Sequence, residues 1–227
     1  MSKPAPTNSP DDASLWRPDL VYAALLLAAA IACVAVLGAE NGLLANEYGL
    51  GAAGLFVVFG LFTIATGFPH PVFGYVSMDR VAQVMSILIL GPVDAAWVNG
   101  LASFIFPWQR LRLGVSFPMV LTAALNNAGL MIFVILGAGS LYQYLGGPVP
   151  IAALDPGTGL LLLALVVSMQ VINDAGMMII VYLRKGNPLS VFNPFTSVVE
   201  FVSGAAGIVL AIAFANYTMP EFTLILA

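Results

Sequence analysis

The chain is poor in almost everything that soluble chemistry draws on. Charged residues are 8% of its 227 positions, where soluble globular domains carry roughly 25%. There is one cysteine, Cys33, inside an apolar run, so an intramolecular disulfide is excluded and the redox compartment cannot be read from it. The single histidine, His70, stands between two prolines without the companion ligands a metal site needs. No glycine-rich phosphate loop, cysteine pair or nucleophile-and-base pair is present, so neither an enzyme nor a resident cofactor is expected. The seven lysines and arginines are scattered and form no basic stripe, which removes nucleic acid as a partner. What is abundant is apolar: 60% of residues are hydrophobic and the mean hydropathy is +0.99. That balance places the protein in a lipid bilayer.

The expected fold is all-α, a polytopic transmembrane helical bundle of about seven spans. The apolar runs and their punctuation put these at 20–37, 50–68, 78–90, 92–107, 117–137, 157–183 and 194–216. Residues 1–18, rich in Pro, Ser, Asp and Asn, read as a disordered cytoplasmic tail, with Trp16 and Arg17 as an interfacial anchor. Residues 19–220 form the helical domain, and 221–227 read as the start of an eighth helix whose continuation would return to the cytoplasm. Pro69-His70-Pro71 stops the second run, and Pro69 to Ser77 reads as a partly re-entrant loop, with Ser77 capping the third span. Asp155-Pro156 and Asn193-Pro194 read as cap-plus-first-turn pairs for the sixth and seventh.

Gly91-Pro92 poses the topological choice, because residues 79–106 are either one kinked helix or a hairpin of two short ones. Charge favours the hairpin. With the N-terminus in the cytoplasm, it leaves Lys3, Arg17, Arg80, Arg110, Arg112, Arg184 and Lys185 on the cytoplasmic side and Glu40, Glu47, Asp155 and Glu221 outside. Helices of that length reach only about 20–24 Å against a hydrocarbon core of about 30 Å, so they belong inside the bundle rather than against lipid.

One segment repeats. Asn126 to Leu136 and Asn173 to Leu183 agree at seven of eleven positions, each opening on amide, carboxylate or small residues. Asp174 and the amides of Gln170 and Asn173 sit within a run long enough to cross a membrane, where an ionisable group marks a functional site by default. Gln170 and Asp174, four apart, share a helix face. Two readings stand side by side: Asn126, Asn127, Gln170, Asn173 and Asp174 line a ligand pocket, or they join helices that Ala128-Gly129 and Ala175-Gly176 bring close. Glu200 either pairs with Arg80 or Arg112, or serves as a second interior carboxylate suited to a cationic ligand. Asn99 and Ser103 are pocket or packing residues, Asp94 serves the positive end of its own helix, and Trp97, Trp108, Tyr142 and Tyr144 are belt or packing residues.

From Val76-Ser77-Met78 through Gly91-Pro92 to Asn99-Gly100 the chain resembles the membrane-embedded N-terminal sensory modules of bacterial HD-GYP phosphodiesterases, diguanylate cyclases and sensor kinases. Leu125-Asn126-Asn127-Ala128 resembles their Phe-Asn-Ala-Ala element. Ile172-Asn173-Asp174-Ala175-Gly176, with Leu183-Arg184-Lys185-Gly186 after it, is similar to their Asn-Thr-Gly helix, Asp174 standing where they have a neutral residue. The Gly-Pro hairpin is also similar to the S components of energy-coupling-factor transporters. The likeness spans about 75 to 215 and implies a multi-pass sensory or small-ligand-binding module of the bacterial cytoplasmic (inner) membrane, serving an output domain beyond Ala227. An accessory subunit held by other membrane subunits, or the substrate-binding component of a solute transporter, is the alternative.

Overall fold

The computed structural model describes residues 18–44, 48–70 and 74–217, without the side chains of 41, 69, 70, 74 and 75. The expected tail and eighth helix lie outside these residues, as does the His70 side chain. Seven α-helices follow in order: α1 Pro18–Asn41, α2 Gly49–Ala65, α3 Asp79–Leu90, α4 Pro92–Ile105, α5 Phe117–Tyr144, α6 Pro156–Leu183 and α7 Pro194–Asn216. Short 3-10 helices, Phe106–Leu113 and Pro188–Val191, lead into α5 and α7.

Four of the helices, α1, α5, α6 and α7, are long and apolar enough to cross a membrane. The chain is a helical membrane protein with four such helices, fewer than the seven spans read from the sequence. α2, α3 and α4 have 17, 12 and 14 residues. At 1.5 Å per residue α3 spans about 18 Å, too little to face a hydrocarbon core of about 30 Å on its own. It does not face one: every residue from Arg80 to Leu90 is buried in the bundle.

Other boundaries differ from expectation: α1 runs four residues past 37 to Asn41, and α2 stops at Ala65, three short of 68. The segment 68–76 is not simply a loop but a small antiparallel hairpin, β1 Phe68–His70 with β2 Gly74–Val76, in which Phe68 faces Val76. Helix α5 passes through Gly137 and ends at Tyr144. An interior glycine costs only about 1 kcal/mol, and the added turns bury Tyr142, whose hydroxyl donates to the Pro148 carbonyl at 3.2 Å.

The caps hold α6 and α7 where their sequences place them. Asp155 accepts from the Thr158 amide at 2.9 Å, and Asn193 from the Phe195 amide at 2.9 Å. The Asp155 carboxyl lies below the usual carboxylate range, chiefly because the Thr158 amide and hydroxyl both donate to it. Between α3 and α4, Gly91 has φ 84° and ψ 166°, a region open essentially to glycine alone, and Pro92 opens the next helix.

Contacts sort the helix ends. The Ile151 amide donates to the Leu88 carbonyl, the Leu44 amide to Asp94, and the Asn216 amide group to the Ala152 carbonyl. The Gly91 turn, the α1–α2 and α5–α6 connections and the end of α7 therefore share one end of the bundle. At the opposite end Arg184 meets Asp19 at 3.1 Å and Arg80 meets Glu200 at 2.6 Å. All five described basic residues, Arg80, Arg110, Arg112, Arg184 and Lys185, belong to this second, basic end. Close packing there rests on small residues: a Cβ on Gly207 of α7 would stand 2.7 Å from the Val81 carbonyl oxygen of α3.

Candidate functional site

Helix α3 enters the core with a polar edge. Asp79, Gln83 and Ser86 are spaced four and three, which puts them on one face. Gln83 and Ser86 are buried, so each of their polar groups has to be satisfied by a neighbour rather than by water, and Asp79, half-buried, closes the row. Asp79 accepts from the Ser77 hydroxyl and from Gln83 Nε2 at 2.7 Å. Arg80, 3% exposed, donates to Gln83 Oε1 at 3.0 Å and to Glu200 Oε2 at 2.6 Å. Deeper, the Ser86 hydroxyl donates to the Gln83 carbonyl at 2.9 Å and accepts from Asn99 Nδ2 at 2.7 Å. The chain of bonds runs about 10 Å along α3, seven residues at 1.5 Å each, and ends on α4. Of its members the sequence reading had singled out Asn99, Glu200, Arg80 and Ser77. Gln83 and Ser86 were missed, although their spacing from Asp79 inside an apolar helix is the signal that marks them.

Beside this network a cleft of about 340 Å³ opens among α3, α4, α5, α6 and the 3-10 turn after α4. Its polar wall consists of Ser77, Asp79, Ser103, Arg110, Asn127 and Asn173, and its apolar wall includes Met131 and Met177. Asn127 and Met131 are four apart on α5, as Asn173 and Met177 are on α6, so each helix presents an amide with a thioether one turn along. Asn127 and Asn173 are each ten residues from the basic-end terminus of their helix, about 15 Å along its axis. Among the described residues the Arg110 guanidinium has no ion-pair partner, although Asp79 lines the same cleft.

The repeated segments meet here, but not in their sequence register. The alignment pairs Asn126 with Asn173 and Asn127 with Asp174; the cleft joins Asn127 to Asn173. Asn126 is buried, its Oδ1 without a hydrogen-bond partner among the described residues. Asp174 is not on the cleft wall: it accepts from Gln170 Nε2 at 2.9 Å on its own helix and stands close enough to Glu200 to repel it. Gln170 leaves its Oε1 buried and, among the described residues, unpartnered. At two glycines of the α5–α6 contact the facing side chain is hydrocarbon, Leu130 against Gly176 and Ile172 against Gly137.

The seven residues singled out in the sequence therefore separate into groups. Asn127 and Asn173 share the cleft, Glu200 and Asn99 belong to the buried network, Gln170 and Asp174 pair with each other, and Asn126 stands by itself. Glu200 pairs with Arg80, the first of the two partners considered for it. Asp94 does more than serve its own helix, since its Oδ1 accepts from the Leu44 amide at 3.0 Å and from Trp97 Nε1 at 3.1 Å, tying down the α1–α2 connection.

A larger cleft, about 460 Å³, surrounds Gly91 and Pro92 at the other end, but Asp94, the carboxylate on its wall, is already engaged. A third, about 420 Å³ between α1, α4 and α5, is almost wholly apolar. Among the described residues no three His, Cys, Asp or Glu side chains gather in a way that would hold a metal ion. Among the described residues, the cleft at the basic end combines a charge without an ion-pair partner, two amides and an apolar floor, which neither of the other two clefts does. No protein-family model, curated protein or solved structure compared with the chain matches it.

Proposed function

We propose that this chain is a sensory module of a bacterial inner membrane that binds a small ligand in the cleft at its basic end and passes on occupancy as a change in helix packing. In this reading α2, α3 and α4 count with the four long helices as seven passes. The basic end then faces the cytoplasm, following the positive-inside bias. The shortness of α3 is tolerable because protein, not lipid, surrounds it, while α4 buries most of its residues but leaves Leu101 and Ile105 exposed.

The observation that carries the reading is that Asn127 and Asn173, from the two echoing segments, line one cleft together with Arg110, which has no ion-pair partner among the described residues. Polar groups placed at membrane depth are costly unless they serve packing or a ligand. Asn127 is exposed and Asn173 half-buried; unlike Asn99, which bonds across to Ser86, they are spent on no interhelical bond among the described residues. A ligand contacting α3, α4, α5 and α6 at once would favour one packing of these helices over another by its differential affinity for the two. The resemblance to sensory modules supplies the direction of the signal, toward a cytoplasmic output domain.

The test is a melting-temperature screen of the purified chain against polar metabolites and short amphiphiles, run beside Asn127→Ala/Asn173→Ala. A ligand at a hundred times its dissociation constant adds about 2.7 kcal/mol, several degrees for a chain of this size. At least one compound should stabilise the native chain and not the double variant. Compounds that stabilise both equally, or none at all, would remove the cleft from the function.

A further inference from the structure

We infer that the cleft takes a small zwitterion, its cationic nitrogen facing Asp79 and its acidic group facing Arg110; this rests on the reading of the cleft as the ligand site. The two wall charges have opposite sign and line one space, yet they are not paired with each other. The Asp79 hydrogen bonds come from neutral donors, Ser77 and Gln83, and a carboxylate retains further acceptor sites beyond two. Arg80, the next basic residue, is already neutralised by Glu200. A plain anion would meet Arg110 but be repelled by Asp79, and a plain cation the reverse. A molecule carrying both charges uses both walls, and each wall rejects the singly charged analogue.

Size and lining narrow the class. About 340 Å³ lies near the lower limit of roughly 300–1,000 Å³ for small-molecule pockets, which fits a ligand of amino-acid dimensions. Asn127 and Asn173 each offer donors and an acceptor, so they accommodate either end of a zwitterion. Met131 and Met177 give a flexible, polarisable floor for an unbranched apolar side chain. The shared chemistry is a primary ammonium close to an acidic group. It is supplied by a free neutral amino acid or by the phosphoethanolamine head of a lipid, which enters the same cleft from the bilayer.

The experiment uses the full chain in dodecyl maltoside stripped of phospholipid, and four probes: methionine, dihexanoyl phosphatidylethanolamine, N-acetylmethionine and methionine methyl ester. The first two are zwitterions from the two sources, the third is an anion and the fourth a cation. Methionine or the short lipid, at a hundredfold excess over its dissociation constant, should raise the melting temperature by about 5 °C or more, and whichever does so names the source. The two singly charged probes should leave it within about 1 °C. Arg110→Gln and Asp79→Asn should each abolish the shift, whereas Arg112→Gln, changing a neighbouring charge that does not line the cleft, should keep it. Because Asp79 also belongs to the buried network, Arg110→Gln, an exposed position, decides the matter if Asp79→Asn folds poorly. Stabilisation by N-acetylmethionine or the methyl ester equal to that by methionine, or equal losses in Arg110→Gln and Arg112→Gln, would overturn the zwitterion. So would no shift with any probe; a screening hit that still depends on Asn127 and Asn173 would then leave the cleft standing with a different ligand.

Discussion

Replacing Glu200 by methionine is expected to destabilise the bundle severely, because it strands a guanidinium that the fold has already enclosed. The Arg80 side chain is 4% exposed and that of Glu200 23%, with Nε and Oε2 2.6 Å apart. Removing one member of a buried pair costs about 3–5 kcal/mol, most of it the desolvation of the charge left behind. Two features favour the lower limit: Arg80 keeps its bond to Gln83 Oε1, and a membrane-inserted unfolded chain finds alternative partners for polar groups. The expected loss is therefore about 3 kcal/mol, roughly a hundredfold in the folded-to-unfolded ratio. The double variant Arg80→Met/Glu200→Met removes the stranded charge and should recover most of it, since apolar replacement of a buried pair is often close to neutral. Reversible unfolding in mixed micelles, analysed as a double-mutant cycle, supplies the coupling energy. A single variant within about 0.5 kcal/mol of the native chain, or a double variant losing as much as the sum of the singles, would show that Arg80 is solvated and the network is not a buried one.

Gly207→Ala should push α7 away from α3, since the new methyl would meet backbone at the Val81 carbonyl and lie 3.1 Å from the Val84 Cβ; overpacking of this kind costs about 1–3 kcal/mol. Gly51→Ala, where nothing lies within 4 Å, should be neutral or slightly stabilising in the same unfolding assay. Asp155→Ala should fray the first turn of α6, read as faster amide exchange at Thr158, while Asp155→Asn keeps the cap. The folded Asp155 carboxyl lies below its ordinary 3.8, so its contribution is fully present above that value and is lost as pH falls through the lower folded value. The native chain should therefore lose protection at Thr158 in strong acid, and Asp155→Asn should show no such dependence.

Helix boundaries were legible wherever a residue acts locally. Gly91-Pro92, Asp155-Pro156 and Asn193-Pro194 each mark a stop or start that depends on neighbours a few positions away, and the helices begin and end there. Ser77 was read by the same rule as a cap, yet it donates to Asp79 and Met78 holds the cap position without a side-chain bond. The burial of α3 followed from its length, because a helix of 12 residues cannot satisfy a bilayer by itself. The site was less legible. The echo between α5 and α6 pointed to both helices, but the residues that meet are one position out of the aligned register, which depends on how two antiparallel helices are rotated against each other. Asp174 drew attention as an isolated intramembrane carboxylate, whereas the partner that lowers its cost is Gln170, four residues back on the same helix. Arg110 appeared in the sequence only as a topological charge; its place on the cleft wall depends on the 3-10 turn between α4 and α5.

The wetness of the cleft between α5 and α6 is open to direct chemistry. With Cys33 replaced by alanine, single cysteines at Asn127 and Asn173, and a control at the fully buried Ala124, are exposed in membrane vesicles of either orientation to a membrane-impermeant maleimide. Asn127→Cys and Asn173→Cys should react within minutes from the side that carries Arg110 and Arg184, and from that side alone, while Ala124→Cys reacts only after denaturation. Cysteines at 127 and 173 as inert as the one at 124 would mean that hydrocarbon fills the space between these helices and that no ligand enters there.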